Sequence, residues 1–293
     1  MLDKRRFKQV DVFTRVPFKG NPLAVVLDAD GLTDGQMQAI ARWTNLSETT
    51  FVLPPTDPAA DYRVRIFSPD TEFPFAGHPT LGTAHALLES GLQPKLSTRI
   101  VQQCGIGLVP VDIADDGSLA FRAPVAELQP FDEALRPLLE TALASDAFAP
   151  GLPPITVNMG ISWLTVRMES ADACLAVRAD WSALSELVRH CRVSGIAIYG
   201  SHDQAGPADY EVRALFLNQG LLIEDPVTGS ANACIARVLQ AQGFPDGIPS
   251  SLGYNVRQGT LLQRDGRLSV VFSDGEPWIG GRSVTVVDGL LQA

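Results

Sequence analysis

The chain has 293 residues, of which 45% are hydrophobic and 19% are charged. This apolar content excludes intrinsic disorder and is enough for a hydrophobic core without metal or disulfide cross-links. The 23 Lys and Arg residues are outnumbered by 33 Asp and Glu residues. The net charge of -10 therefore argues against binding to nucleic acid or to an anionic membrane surface. At about 150 residues per domain, the length predicts two domains or one large one.

Nothing in the sequence indicates export, membrane insertion or metal binding. The N-terminal segment lacks the apolar core of a signal peptide, and no apolar run reaches the ~18 residues of a membrane span. Four cysteines are scattered without CxxC spacing or a histidine at the spacing of a metal ligand: Cys104, Cys174, Cys191 and Cys234. We therefore expect a cytoplasmic protein with reduced thiols, no zinc site and no disulfide framework.

Hydrophobic periodicity and turn residues predict strands and helices through the N-terminal half. Thr33 and Gln36 are spaced as a capping box, and Gly91 is placed to end a later helix. The predicted strands are Phe7–Phe13, Leu23–Leu27, Thr49–Leu53, Tyr62–Phe67, Ser97–Gln102, Leu108–Ile113 and Leu119–Phe121. The predicted helices are Thr33–Trp43 and Pro79–Glu89, with a proline-rich elbow at Ser68–Phe75 before the second.

The segment Pro124–Pro154 is punctuated by prolines and is the candidate crossing between domains. Beyond it, Asp180 is placed as the N-cap of a helix. The predicted strands are Ile155–Asn158, Leu164–Met168, Ile196–Tyr199 and Tyr210–Leu217, and the last 40 residues are predicted to be strands joined by Gly turns. The predicted helices are Asp132–Leu143, Asp180–Cys191 and one from the elbow Asn218–Asp225 to about Gln242. We expect an N-terminal domain over residues 1–125 and a C-terminal domain over residues 126–293, with the placement of strand 282–293 left open.

Two segments half a chain apart share one pattern. Pro79–Ala86 reads Pro-x-x-Gly-Thr-Ala-x-Ala, and Pro226–Ala233 reads Pro-x-x-Gly-Ser-Ala-x-Ala. Each follows a predicted strand that contains Val-Arg, and the helix and strand before it recur in the same order. A period of this length predicts two duplicated domains rather than a solenoid.

The repeated segment is suited to bind a small carboxylate. Proline is favoured at the first helical position, glycine allows a ligand to approach the backbone, and Thr or Ser supplies a hydroxyl group. Two such helix starts that face each other would hold an acid at their free N–H groups; the alternative is two ordinary helix starts. The polar residues differ between the copies, with His78 in the first and Asp225 in the second, which points to catalysis.

Four linked motifs extend over nearly the whole chain. They are Asp11-Val12-Phe13 with Phe18-x-Gly20-Asn21-Pro22-Leu23-Ala24-Val25, then Asn45–Val52, Phe73–Ala84 and Glu224–Ala231. In this order they resemble the phenazine-biosynthesis isomerases, the PhzF-like proteins of the diaminopimelate-epimerase superfamily. The resemblance implies an α+β fold of two similar, pseudo-twofold-related domains, each a curved, mostly antiparallel sheet wrapped around a central helix. It also implies a homodimer and a biosynthetic isomerase that uses no cofactor and no metal.

The resemblance also implies roles for individual residues. Glu48 corresponds to the general acid/base, and His78, Asp225 and Ser230 to residues beside the substrate. The implied substrate-binding residues are Gly77, Gly82, Thr83, Thr228 and Gly229. We expect Glu48 to remove a proton from an unsaturated small acid bound in the interdomain cleft and to return it along the conjugated system. The helix starts, expected at Gly82 and Gly229, would bind the carboxylate.

Two other functions stay open at this point. An epimerase or racemase would use Glu48 and Asp225 on opposite faces of one carbon. The epimerases of the superfamily use a cysteine pair at the two helix starts, and none of the four cysteines lies there. A non-catalytic protein would bind a small acid without turnover. A Rossmann-type enzyme is disfavoured because no GxGxxG follows a predicted strand.

Overall fold

The computed structural model describes residues 3–218, 221–247 and 253–293. The chain divides into two compact units: unit 1 contains Met1–Arg122 and Gly280–Ala293, and unit 2 contains Ala123–Ile279. The C-terminal strand lies in unit 1 because it pairs with the first strand along its length. Within the described ranges, no helix combines the length and the apolar character needed to cross a membrane.

Unit 1 contains one mostly antiparallel sheet, a central helix and a peripheral helix. Its strands are β1 (Lys4–Val12), β2 (Asn21–Val26), β3 (Thr49–Leu53), β4 (Tyr62–Phe67), β5 (Glu72–Phe73), β6 (Arg99–Cys104), β7 (Gly107–Ile113), β8 (Leu119–Arg122) and the C-terminal β18 (Ser283–Gln292). Its helices are α1 (Asp34–Thr44) and α2 (Gly77–Glu89). The pairs β2–β3 and β4–β6 are parallel, whereas β18–β1, β1–β2, β3–β4, β4–β5, β6–β7 and β7–β8 are antiparallel.

In unit 2 the strands are again mostly antiparallel, with more helices around them. Its strands are β9 (Glu127–Pro130), β10 (Ile155–Asn158), β11 (Ser162–Arg167), β12 (Gly195–Ser201), β13 (Tyr210–Asn218), β14 (Leu221–Asp225), β15 (Tyr254–Gln258), β16 (Gly266–Ser273) and β17 (Glu276–Gly281). Its helices are α3 (Arg136–Leu143), α4 (Ala171–Ala176), α5 (Trp181–Cys191) and α6 (Gly229–Ala241), with 3-10 turns at Glu133–Leu135 and Thr260–Leu262.

The two units repeat one order of elements and strand pairings. In unit 1, β1 and β2 are antiparallel, α1 leads to the parallel strand β3, and the hairpin β4–β5 leads through α2 to β6 beside β4. In unit 2, β10, β11, α5, β12, β13, β14, α6 and β15 follow with the same pairings. The predicted duplication of element order is therefore confirmed.

Each central helix is buried because its small residues let the sheet approach closely. The first eight residues of α2 are all buried, and so are most residues of α6. A Cβ atom on Gly82 would lie 2.6 Å from Leu23 Cδ2 and 2.7 Å from Val12 Cγ2. At that position a side chain larger than hydrogen would force Leu23 and Val12, or the helix itself, to shift.

The predicted caps and the expected start of α6 at Gly229 are confirmed, but neither Pro79 nor Pro226 is the first residue of its helix. Thr33 and Gln36 form both hydrogen bonds of a capping box, and Asp180 caps α5. Helix α2 begins at Gly77, two residues before the expected proline, and Pro226 precedes the N-cap of α6. The two prolines therefore occupy different positions relative to their helices. Residues that match in the two sequence motifs are not at equivalent positions in the two units.

The predicted elbows contain short strands, which explains the change of register. β5 occupies two residues of the first elbow, whereas β14 occupies five residues of the second and pairs with β13. Residues 219–220 of the second elbow lie outside the described residues. The longer hairpin in unit 2 delays the start of α6 relative to α2. Strand β9 lies in the proline-punctuated segment, where the sequence had predicted only a helix.

Substitution of Gly82 by Ala should destabilise the protein by about 1–2 kcal/mol, because the new methyl group overpacks the contact with Leu23 and Val12. The matched control is Gly35→Ala in α1, where nothing lies within 4 Å of the new Cβ. That variant should gain about 0.5–1 kcal/mol from helix propensity. Urea unfolding measures both changes, and equal effects at the two positions would contradict the packing role of Gly82.

Candidate active site

In unit 1, the residue before β3 meets the first turn of α2. Glu48 Oε2 lies 3.3 Å from His78 Nε2, and the side chains are 16% and 7% exposed, respectively. Glu48 is placed by the start of β3, and His78 is the second residue of the buried helix. The fold thus brings together two residues that the sequence analysis had associated with proton transfer.

Burial decides the charge of His78. It lowers the pKa of the imidazole to about 3, so that the ring is neutral at pH 7. The contact with Glu48 is therefore not an ion pair at neutral pH. A neutral imidazole has one nitrogen that donates and one that accepts, and it can change partners without carrying charge.

In unit 2, a chain of hydrogen bonds fixes a carboxylate beside the start of α6. Asp225 ends β14, and Thr228 is the N-cap of the helix. Gln258 Nε2 donates to Thr228 Oγ1 at 2.9 Å and to the Asp225 carbonyl at 3.1 Å. Thr228 Oγ1 in turn donates to Asp225 Oδ2. Because each hydroxyl or amide group has a defined direction, the carboxylate is held in one orientation.

Ser230 occupies the second position of α6 and remains partly exposed, whereas Gly229 before it is buried. Trp163 of β11 is only 2% exposed and donates its indole N–H to Ser230 Oγ at 3.1 Å. Ser230 therefore accepts a hydrogen bond within unit 2. The sequence analysis did not identify Trp163, since a buried tryptophan in a strand is usually a core residue.

Two fully buried glutamines anchor the helix starts, and the sequence analysis missed both. In unit 1, Gln102 Nε2 donates to Thr80 Oγ1 at 2.9 Å, and Thr80 Oγ1 donates to the Ala76 carbonyl at 2.9 Å. In unit 2, Gln258 Oε1 accepts from the Thr228 amide at 3.0 Å and from Asn232 Nδ2 at 2.9 Å. The sequence signal that could have identified them is a glutamine at an inward-facing position of a strand.

Two of the other predicted binding residues, Gly82 and Thr83, lie at positions different from the expected helix start. Gly77 is the first residue of α2, but Gly82 and Thr83 lie inside the helix and are buried. Thr83 Oγ1 donates to Thr50 Oγ1 of β3 at 2.8 Å. The expectation that a helix starts at Gly82 is wrong, and Gly82 and Thr83 pack α2 against the sheet.

The cysteines lie away from both helix starts, whose N-caps are Ala76 and Thr228. All four are free thiols, and burial raises the pKa of Cys174 and Cys234. In the part of the chain that the structure describes, no three His, Cys, Asp or Glu side chains are grouped so that they could hold a metal ion.

Comparison with known proteins agrees with this arrangement. The family model for phenazine biosynthesis-like proteins, PhzC-PhzF, matches residues 10–289. The chain belongs to the PhzF family. It is 34% identical to antisense-enhancing sequence 1 of Schizosaccharomyces pombe, over 98% of this chain and 99% of that protein. It is 32% identical to trans-2,3-dihydro-3-hydroxyanthranilate isomerase of Pseudomonas aeruginosa, over 90% of this chain and 88% of that enzyme.

A PhzF-family protein of Bacillus anthracis has the same fold, with a TM-score of 0.86 and 25% identity over 100% of both chains. This PhzF-family chain is an isomerase with a two-domain, epimerase-like α+β fold. The fold class and the enzyme class expected from the sequence are both confirmed.

Substitution of His78 by Asn should make the protein less sensitive to acid. The folded-state pKa of His78 is lowered to about 3, whereas the unfolded-state pKa is about 6.5. Below pH 6.5 the unfolded chain therefore binds a proton that the folded protein does not, and stability falls. Between pH 7 and pH 5, protonation of this residue in the unfolded chain should lower the free energy of unfolding of the wild type by about 2 kcal/mol. The variant lacks the imidazole and should not show this decrease.

Urea unfolding at the two pH values measures the difference. The matched control is His190→Asn, at an exposed position of α5, which should keep the pH dependence of the wild type. The same pH dependence in His78→Asn and the wild type would contradict a neutral, buried His78.

Proposed function

We propose that the protein catalyses a hydrogen shift within a small, unsaturated carboxylic acid, with Glu48 as the group that carries the proton and with no cofactor. The observation that carries this proposal is the 3.3 Å contact between Glu48 and the buried His78 at the start of α2. A partly buried carboxylate next to a neutral imidazole can take a proton from carbon and return it to another carbon.

The reaction has two steps with balanced charge. Glu48 removes a proton from a carbon that is conjugated to the substrate carboxylate, and the electron pair left behind spreads over the conjugated system. The protonated Glu48 then delivers the same proton to a different carbon, so that the double bond moves and the enzyme returns to its starting state. His78 donates a hydrogen bond to the substrate or to the carboxylate as charge develops.

The central helices offer suitable places for that charge. Side chains cap α1, α4 and α5, whereas α2, α6 and the peripheral helix α3 have no side-chain hydrogen bond at the N-cap. The first-turn N–H groups and the positive end of the helix dipole then favour an anionic substrate group. Gly77 and Gly229, the first residues of the two helices, let a ligand approach the backbone.

In unit 2, Asp225 and Ser230 would bind polar groups of the same substrate. The orientation of Asp225 through Thr228 supports a role as acceptor from an amino or hydroxyl group. One relative is named trans-2,3-dihydro-3-hydroxyanthranilate isomerase, and the compound in that name carries a carboxylate, an amine and a hydroxyl group on an unsaturated ring. It is the first substrate to test. The cytoplasmic location and the homodimer stay predictions.

Substitution of Glu48 by Gln should lower turnover about 10²- to 10⁴-fold, because the amide keeps the shape of the side chain and cannot take a proton. The assay follows that compound and a panel of unsaturated amino and hydroxy acids in deuterium oxide by NMR. Glu127→Gln, at an exposed position of β9, is the matched control and should keep full activity. Retained turnover in Glu48→Gln would refute the assignment of the base.

The position of the label separates the competing functions. Movement of the double bond supports the isomerase. Label at one stereocentre, without movement of the double bond, would instead indicate an epimerase. Binding of panel acids by calorimetry, with neither movement of the double bond nor isotope exchange, would indicate a non-catalytic binding protein.

A further inference from the structure

The duplication allows the residue equivalent to Glu48 to be located in unit 2. Arg65 of β4 binds Glu72 of β5, and Arg213 of β13 binds Glu224 of β14, so that the two arginines occupy equivalent positions.

Phe51 pairs with Arg65, and Ile198 pairs with Arg213. Three residues before Phe51 lies Glu48, and three residues before Ile198 lies Gly195. Unit 2 therefore has glycine where unit 1 has the proposed base.

No side chain fits at Gly195. A Cβ atom there would lie 2.4 Å from the Leu215 carbonyl oxygen and 2.7 Å from Cζ3 of Trp163. Trp163 pairs with Gly195 across the parallel strands β11 and β12, and its ring covers the glycine. In the equivalent pair of strands in unit 1, Ala24 pairs with Thr49, and Leu23 and Glu48 are the residues directly before them in the sequence. The Leu and Glu of unit 1 are thus replaced by Trp and Gly in unit 2.

The indole also replaces the carboxylate as the partner of the helix. His78 and Ser230 are both the second residue of their central helix. Glu48 Oε2 lies 3.3 Å from His78 Nε2, whereas Trp163 Nε1 lies 3.1 Å from Ser230 Oγ. Unit 1 therefore presents an oxygen at this place, and unit 2 presents an N–H group.

An indole N–H can only donate, and this fixes the role of the serine. Because Ser230 Oγ accepts from Trp163, the hydroxyl hydrogen is left to point elsewhere, and Ser230 is partly exposed. We propose that Trp163 is a positioning residue that makes Ser230 a hydrogen-bond donor to the substrate carboxylate. Trp163 also fills the place of a second base, so that Glu48 alone exchanges protons with the substrate from this strand position. This inference rests on the proposed function.

A double-mutant cycle between Trp163 and Ser230 tests this role. Trp163→Phe keeps an aromatic ring and removes the N–H donor, and it should raise KM about 2- to 12-fold with little change in kcat. In the Ser230→Ala background the same change should have no further effect. The pH profile of kcat should stay that of the wild type, because Glu48 is untouched. The measurements use the panel acid that the wild type turns over fastest.

The matched control is Trp181→Phe, which removes the same N–H from a tryptophan that is 56% exposed on α5. It should leave both KM and kcat unchanged in either background. A purely structural Trp163 would instead lower the melting temperature and reduce activity by the same factor with or without the Ser230 hydroxyl.

A second readout needs no substrate. The indole ¹H–¹⁵N resonance of Trp163, assigned by its loss in Trp163→Phe, should shift in Ser230→Ala. Ser182→Ala is the control, since Ser182 is the second residue of α5 as Ser230 is of α6, and it should leave the resonance in place. An unchanged resonance in Ser230→Ala would overturn the hydrogen bond.

The outcomes separate this inference from the proposed function. An active wild type with additive effects of Trp163→Phe and Ser230→Ala overturns the inference alone. A wild type that turns over no acid of the panel overturns the proposed function, and the role of Trp163 falls with it.

Discussion

The start of a buried helix imposes the constraint on which both units depend. The polar groups of its first turn lie away from water and must still be hydrogen-bonded or bound to a ligand. Gln102 and Gln258 meet part of this need by holding Thr80 and Asn232, one turn inside their helices. Neither N-cap, Ala76 or Thr228, makes a side-chain hydrogen bond to its helix. The same feature that makes each helix start hard to bury makes it suitable for an anion.

Duplication supplied two helix starts, and later divergence gave them different chemistry. The ion pairs of Arg65 and Arg213 show that the scaffold around each start has been kept. The carboxylates, in contrast, lie on different elements. Glu48 precedes β3, and the residue at the equivalent position of unit 2 is a glycine. Asp225 ends β14, and the strand pairing shows that the residue at the equivalent position of β5 is Phe73. Racemisation by two bases needs equivalent groups on both faces of one carbon, whereas the proposed hydrogen shift needs Glu48 alone as a base.

Local patterns predicted the strands and the surface helices well. Strands Thr49–Leu53 and Ile155–Asn158 have the predicted bounds, because short apolar runs between turn residues leave little choice. The central helices were harder, since their Gly, Ala and Thr residues have no clear amphipathic period. The repeated proline pattern then suggested a wrong register, which placed Gly82 at a helix start. The structure shows that the hairpin β13–β14 is longer than β4–β5, so that the two proline motifs are not equivalent. A local motif does not contain this information, because it depends on how the strands pair.

The charge state of His78 could not be predicted from the sequence, because it depends on how deeply the side chain is buried. The sequence placed a histidine near a glutamate by resemblance, and such a pair is often an ion pair. Burial makes the imidazole neutral, with a pKa of about 3. An imidazolium at this distance would stabilise the carboxylate anion and weaken it as a base. A neutral ring leaves the carboxylate able to accept a proton and still offers a hydrogen bond when charge develops on the substrate. The burial that costs stability in acid is therefore the same burial that keeps the proposed base active near neutral pH.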